Sequence, residues 1–133
     1  MIDIEVDVYD GLYSLLAKEC PDVFLSGELV RAPSSFPSVT MMEADNYVAT
    51  DTQDSGSNEN HVKVMYEVAV YSNRATDRKS ECRSILAVVD RYFIGLGFTR
   101  TSTNTIPDGE GKYLRVISRY TAKVSANHTI YRR

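Results

Sequence analysis

At 133 residues, the chain has room for one domain around one buried core. Hydrophobic residues make up 43 % and charged residues 25 %, which excludes the disordered and fibrous classes. The formal net charge of −3 conceals a split: residues 1–60 hold twelve acids and two bases, and residues 61–133 hold thirteen bases and six acids. Halves of −10 and +7 point to a charged partner or to assembly by charge complementarity.

The opening MIDIEVDVYD is acidic and has no basic stretch ahead of an apolar one, so no signal peptide is expected. No apolar run approaches the roughly 20 residues that span a bilayer, so no membrane partner is expected either. Cys20 and Cys82 form no CxxC pair and are read as free thiols of a reducing compartment.

The first segment fits two periods. Ile2, Ile4, Val6 and Val8 alternate as in a strand, while Ile4, Val8, Leu12, Leu15 and Leu16 fall at helical spacing. The helical set is longer and runs through good helix formers, so residues 3–19 are predicted helical, with Pro21 as the stop. Residues 23–31 read as a first strand, with Gly27 at a bulge, and 32–37 as a connection carrying Pro33 and Pro37. A second strand is predicted over 38–46. Residues 47–60 (YVATDTQDSGSNEN) have the composition of a flexible acidic loop.

The clearest strand is 61–72, with Val62, Val64, Tyr66, Val68 and Val70 on one face. Residues 77–94 form a second helix with an apolar stripe of Cys82, Ile85, Leu86, Val89, Tyr92 and Phe93. Gly95 is its expected left-handed terminator. A threonine-rich strand over 98–106, a turn at 107–111 and a last strand over 113–126 complete the pattern, leaving a polar tail. Strands adjacent in sequence are expected to pair antiparallel. The fold class is therefore α+β: a single domain over 1–133, with one mixed but mainly antiparallel sheet of about five strands and two helices on one face.

Catalytic patterns are sparse. His61 and His128 lie in no metal-binding motif and read as solvated histidines at strand ends. Cys82 sits on an apolar stripe as a small hydrophobe. Glu43 and Asp45, two apart on one strand face, could do acid–base work or hold a cation; a salt-bridged or solvated face is the simpler reading. Gly95-Leu96-Gly97 follows a helix, whereas phosphate loops precede one. No enzymatic activity, cofactor or metal is expected. The most specific physical feature is Arg115, Arg119 and Lys123, which a two-residue period places on one face of the last strand. Such a face could meet nucleic-acid phosphates or an acidic protein surface. The acidic pI of about 5.3 and the lack of interleaved aromatics favour the acidic surface.

The segments GELVRAPSSFPSVTMMEADN (27–46), HVKVMYEVAVYSN (61–73), RSILAVVDRYFIGLGF (83–98) and RYTAKVSANHTIYRR (119–133) follow one another behind an amphipathic helix. In this order the chain resembles the neck and tail-completion proteins of long-tailed bacteriophages, most closely the tail-terminator type, over nearly its whole length. The resemblance implies a non-enzymatic virion protein, made in the host bacterial cytoplasm. It implies a homo-oligomeric ring, a hexamer in that family, at the head-proximal end of the tail tube. Its partners would be the tail tube protein and the head connector or stopper, and DNA would pass through without sequence-specific binding. The family neighbour is a head–tail connector; the alternative outside the family is a small nucleic-acid-binding domain. A ring needs two different patches per subunit. The expected pair is the acidic first half, with Glu43, Asp45, Asp51 and Asp54, against Arg115, Arg119 and Lys123 of a neighbour.

Overall fold

A computed structural model of the chain describes residues 2–27, 35–48 and 61–131. The first helix, α1, spans Glu5–Glu19 and buries Val8, Leu12 and Leu16, one side chain per turn. Ile2 and Ile4 are buried just ahead of it. The helix starts two residues later than its periodicity suggests, because Asp3 stays outside and its Oδ1 accepts the Glu5 N–H at 2.9 Å. Glu5 and Asp7 occupy the positive end of the helix dipole, and Lys18 the negative end. The last turn closes with the Cys20 N–H on the Leu16 carbonyl at 2.7 Å, directly before Pro21.

The sheet is single and mixed, as expected from the sequence. Strands β1 (Phe24–Ser26), β2 (Ser38–Val48), β3 (His61–Ser72), β4 (Thr99–Pro107) and β5 (Leu114–Ser125) lie in the order β1-β2-β3-β5-β4. A two-residue strand, β6 (Ile130–Tyr131), pairs with β5 and continues the β4 side of the sheet. One pairing corrects the sequence expectation: β1 and β2, neighbours along the chain, run parallel. The described part of β1 is also much shorter than 23–31, and residues 28–34 lie outside the described residues. Strand β2 runs on through Tyr47 and Val48, two residues that the sequence assigns to the loop. Its ladder with β3 contains a bulge at Ala44, between Glu43 and Asp45, where none is expected from the sequence; the described β1 pairs in regular register and ends at Ser26, short of the bulge expected at Gly27. All other pairings are antiparallel.

Valines at alternate positions of β3 line the core, since a β-branched chain packs well on a pleated surface. Over them lies the second helix, α2 (Arg78–Leu96), which buries Cys82, Ile85, Leu86, Val89 and Phe93. It runs straight through Gly95, and Gly97, at φ 108°, is the left-handed terminator. An aromatic cluster locks α2 to the sheet. Phe93 stacks on Tyr120 at 4.5 Å between centroids, and its ring meets Phe98 edge-on at 5.2 Å. Each such pair is worth about 0.5–1.5 kcal/mol beyond the area it buries. The Tyr120 hydroxyl donates to Asp90 Oδ1 at 3.0 Å, and Arg100 of β4 reaches the same oxygen at 3.0 Å. On the opposite face, Ala69, Tyr71 and Ile117 form a smaller cluster with Phe36 and Tyr113.

The two helices touch at Gly11. There the Tyr92 hydroxyl donates to the Val8 carbonyl at 2.8 Å, and a Cβ on residue 11 would collide with that hydroxyl. Gly11→Ala should therefore destabilise the fold by about 1–2 kcal/mol in urea denaturation, despite the better helix propensity of alanine. In a Tyr92→Phe background the worst contact, with the hydroxyl, is gone and only the tight approach of the ring edge remains, so the same substitution should cost less than in the parent. Equal effects in both backgrounds would refute this account of Gly11.

Candidate functional site

Strand alternation sorts the charged residues onto two faces. Strand β5 pairs with β3 in unbroken register, from His61 opposite Ser125 to Ser72 opposite Leu114. Even-numbered residues of both strands point to the helices. Odd-numbered residues point away from them, so Arg115, Arg119 and Lys123 share the helix-free face with Lys63 and Glu67.

The three bases differ in their surroundings. Arg115 lies between Tyr71 and Ile106 on the flanking strands, beside the smaller apolar cluster. Its Nε is buried without a hydrogen-bond partner among the described residues. Arg119 faces Glu67 across the ladder, with 3.7 Å between Nη2 and Oε1, so part of its charge is met within the chain. A pair this open contributes about 0–1 kcal/mol. Lys123 stands directly opposite Lys63, and like charges in that position disfavour each other. Both lysines line an open concavity of about 600 Å³, together with Asp45, Tyr47, Thr99 and Thr121.

The acids divide in a way the sequence did not indicate. Glu43 and Asp45 do not share a face, because the bulge at Ala44 sets Glu43 opposite Tyr66 and Asp45 opposite Met65. Asp45 borders the lysine concavity. Glu43 turns to the helix layer, where its N–H donates to Glu5 Oε2 at 2.7 Å. Asn46 Nδ2 bridges Glu43 Oε1 at 3.1 Å and the Ile2 carbonyl at 2.9 Å, tying the bulge to the segment before α1. Burial pushes the Glu43 carboxyl up, Asn46 opposes this, and the charges of Asp3 and Glu5 add to it. Tyr66 sits beside this group; burial, then the charges of Glu43, Glu5 and Asp3, hold its hydroxyl far above the usual tyrosine range. Asp51 and Asp54 lie outside the described residues, as does 49–60 of the acidic loop.

The remaining candidates are dispersed. His61 is half-buried at the start of β3, not solvated, and His128 is exposed in the β5–β6 turn at φ 64°. Cys82 is buried, and burial pushes its thiol up to about 11, as suits an inert core residue. Among the described residues no group of three His, Cys, Asp or Glu side chains could hold a metal, and no helix is long and apolar enough to cross a membrane.

Two further charged rows lie on the helices. Asp3, Asp7 and Asp10 are exposed at spacings of four and three on and just before α1, and Lys79 and Arg83 are exposed one turn apart on α2. Both rows lie on the polar sides of amphipathic helices, apart from the sheet-face bases. No family model matches the chain, and no curated protein matches it.

The raised Glu43 carboxyl gives a pH dependence of defined sign. Its folded value lies above the ordinary 4.5, so it contributes stability that is fully present below the unfolded value and lost as pH rises through the folded one. Glu43→Gln keeps an acceptor for Asn46 and removes the charge. The variant should be more stable than the parent at pH 7, with the gap closing by about pH 4 in urea titrations. A gap that is constant with pH would refute the assignment.

Proposed function

We propose that this chain is a non-enzymatic virion protein of a long-tailed bacteriophage, a tail terminator. Copies form a ring that caps the head-proximal end of the tail tube, stops its polymerisation and offers the surface on which the head connector docks. The observation that carries this reading is the display of opposite charges on separate surfaces of one small domain: acids on α1 and at the end of β2, bases on β5 and α2. A ring joins one patch of each subunit to a different patch of the next, and unlike charges on unlike patches favour that over face-to-face pairing. The near whole-length resemblance in sequence supports the same reading, and the α+β fold suits it. DNA passes through the ring without base-specific contacts, and the tube protein and the head connector are the two other partners.

Deleting the gene from its phage should yield particles with overlong tails in electron micrographs, and the purified protein should cap isolated tubes. Tails of normal length beside leaking heads would instead assign the chain to the head–tail connector. Normal tails on intact heads would overturn both assignments. Steeply salt-dependent binding of duplex DNA by the purified protein would move the reading to a nucleic-acid-binding domain.

A further inference from the structure

We infer that two copies of this chain join through their helices: the acidic row of α1 on one copy docks on the basic row of α2 on the next. This rests on the ring reading above and gives the ring its contact. On α1, Val6, Asp10 and Tyr13 recur at four- and three-residue spacing and so form one line on the helix surface, with exposed Asp3 just ahead of the helix. Val6 is 69 % and Tyr13 56 % exposed, on the side turned away from Val8, Leu12 and Leu16. Asp7 flanks the line. Neither Asp7 nor Asp10 forms an ion pair or a side-chain hydrogen bond among the described residues. An exposed valine and tyrosine framed by acids is an apolar centre with a charged rim, the layout of an interface.

The α2 surface has matching parts. Lys79, Arg83, Ala87 and Ile94 lie on one side of the helix, and Ile94 is 46 % exposed. Lys79 and Arg83 pair with no acid among the described residues. Two acids stand on the same side: Asp77 precedes the helix, and Asp90 is taken by Arg100 and Tyr120. The basic side of the contact thus moves from β5 to α2. On β5, Arg119 already faces Glu67 and the Arg115 Nε is buried, whereas the charges of Lys79 and Arg83 are unspent. Pairing α1 with α1, or α2 with α2, would set like charges together, so each row selects the other.

The test uses two variants at exposed positions, Asp7→Lys with Asp10→Lys, and Lys79→Glu with Arg83→Glu. Circular dichroism first establishes that both fold like the parent. Sedimentation velocity at low salt should then show an assembled parent, weakened by about tenfold or more in each variant alone. An equimolar mixture of the two variants should assemble again, because every contact in it once more joins unlike charges. If the parent assembles and either variant does so equally well, or the mixture stays apart, this contact is wrong and the ring reading stands. If the parent forms only a closed dimer that obeys the charge swap, the contact is right and the ring reading falls. A parent that is monomeric at every concentration and salt overturns both.

Discussion

The ladder between β3 and β5 is the constraint on which the rest of the structure depends. Its register runs without a bulge from His61 opposite Ser125 to Ser72 opposite Leu114. With a side-chain period of two, a slip by one residue would carry Val62, Val64, Tyr66, Val68 and Val70 out of the core and bring the odd-numbered charges in. Each of these side chains is worth about 1.5–3 kcal/mol when buried, so the penalty for slipping is about as large as the whole stability of a typical domain. The ladder therefore decides at once where the helices pack and where the bases are displayed. Irregularities are confined to its flanks, at Ala44 in β2 and Thr101 in β4.

The helix layer adds a second level of organisation. The Phe93–Tyr120 stack and the Asp90 oxygen shared by Tyr120 and Arg100 seat α2 over β5 and β4. The hydrogen bond from Tyr92 to the Val8 carbonyl then sets α1 against α2, and the Glu5–Glu43–Asn46 group fastens the start of α1 to the bulge of β2. Charged surface and packing surface are thus complementary sides of the same elements. Charge is spent internally where strands meet, at Glu67 and Arg119, and left outward where each helix turns away from the sheet.

Much of this was legible in the sequence wherever one period ran long enough. The alternation along 61–72, the helical stripe from Cys82 to Phe93, and the tie at the N-terminus broken by Leu12, Leu15 and Leu16 all carried enough repeats to identify element and face. What failed had a short or degenerate signal. Two glycines close α2, and only the backbone angle at Gly97 distinguishes the terminator from Gly95. The bulge at Ala44 has neither glycine nor proline to mark it, so Glu43 and Asp45 read as face-mates when they are not. Parallel pairing of β1 with β2 depends on how the chain returns between them, which a local pattern does not encode. β6 is two residues long, below any periodicity. At the candidate surface, residue identity was legible and partnership was not. That Arg119 faces Glu67 and Lys123 faces Lys63 follows from register, which connects residues more than fifty positions apart.

Strand β4 has a consequence for solubility. It closes one side of the sheet, so one row of its peptide groups has no neighbouring strand among the described residues, and such a row invites another chain to add on. Three features blunt that invitation: the bulge at Thr101 twists the strand, Arg100 places a charge at its start, and Pro107 removes a donor at its end. β6 then occupies the stretch of β5 that β4 leaves uncovered. This border of the sheet is thereby guarded. Such a border disfavours the edge-to-edge strand addition by which one molecule templates the next.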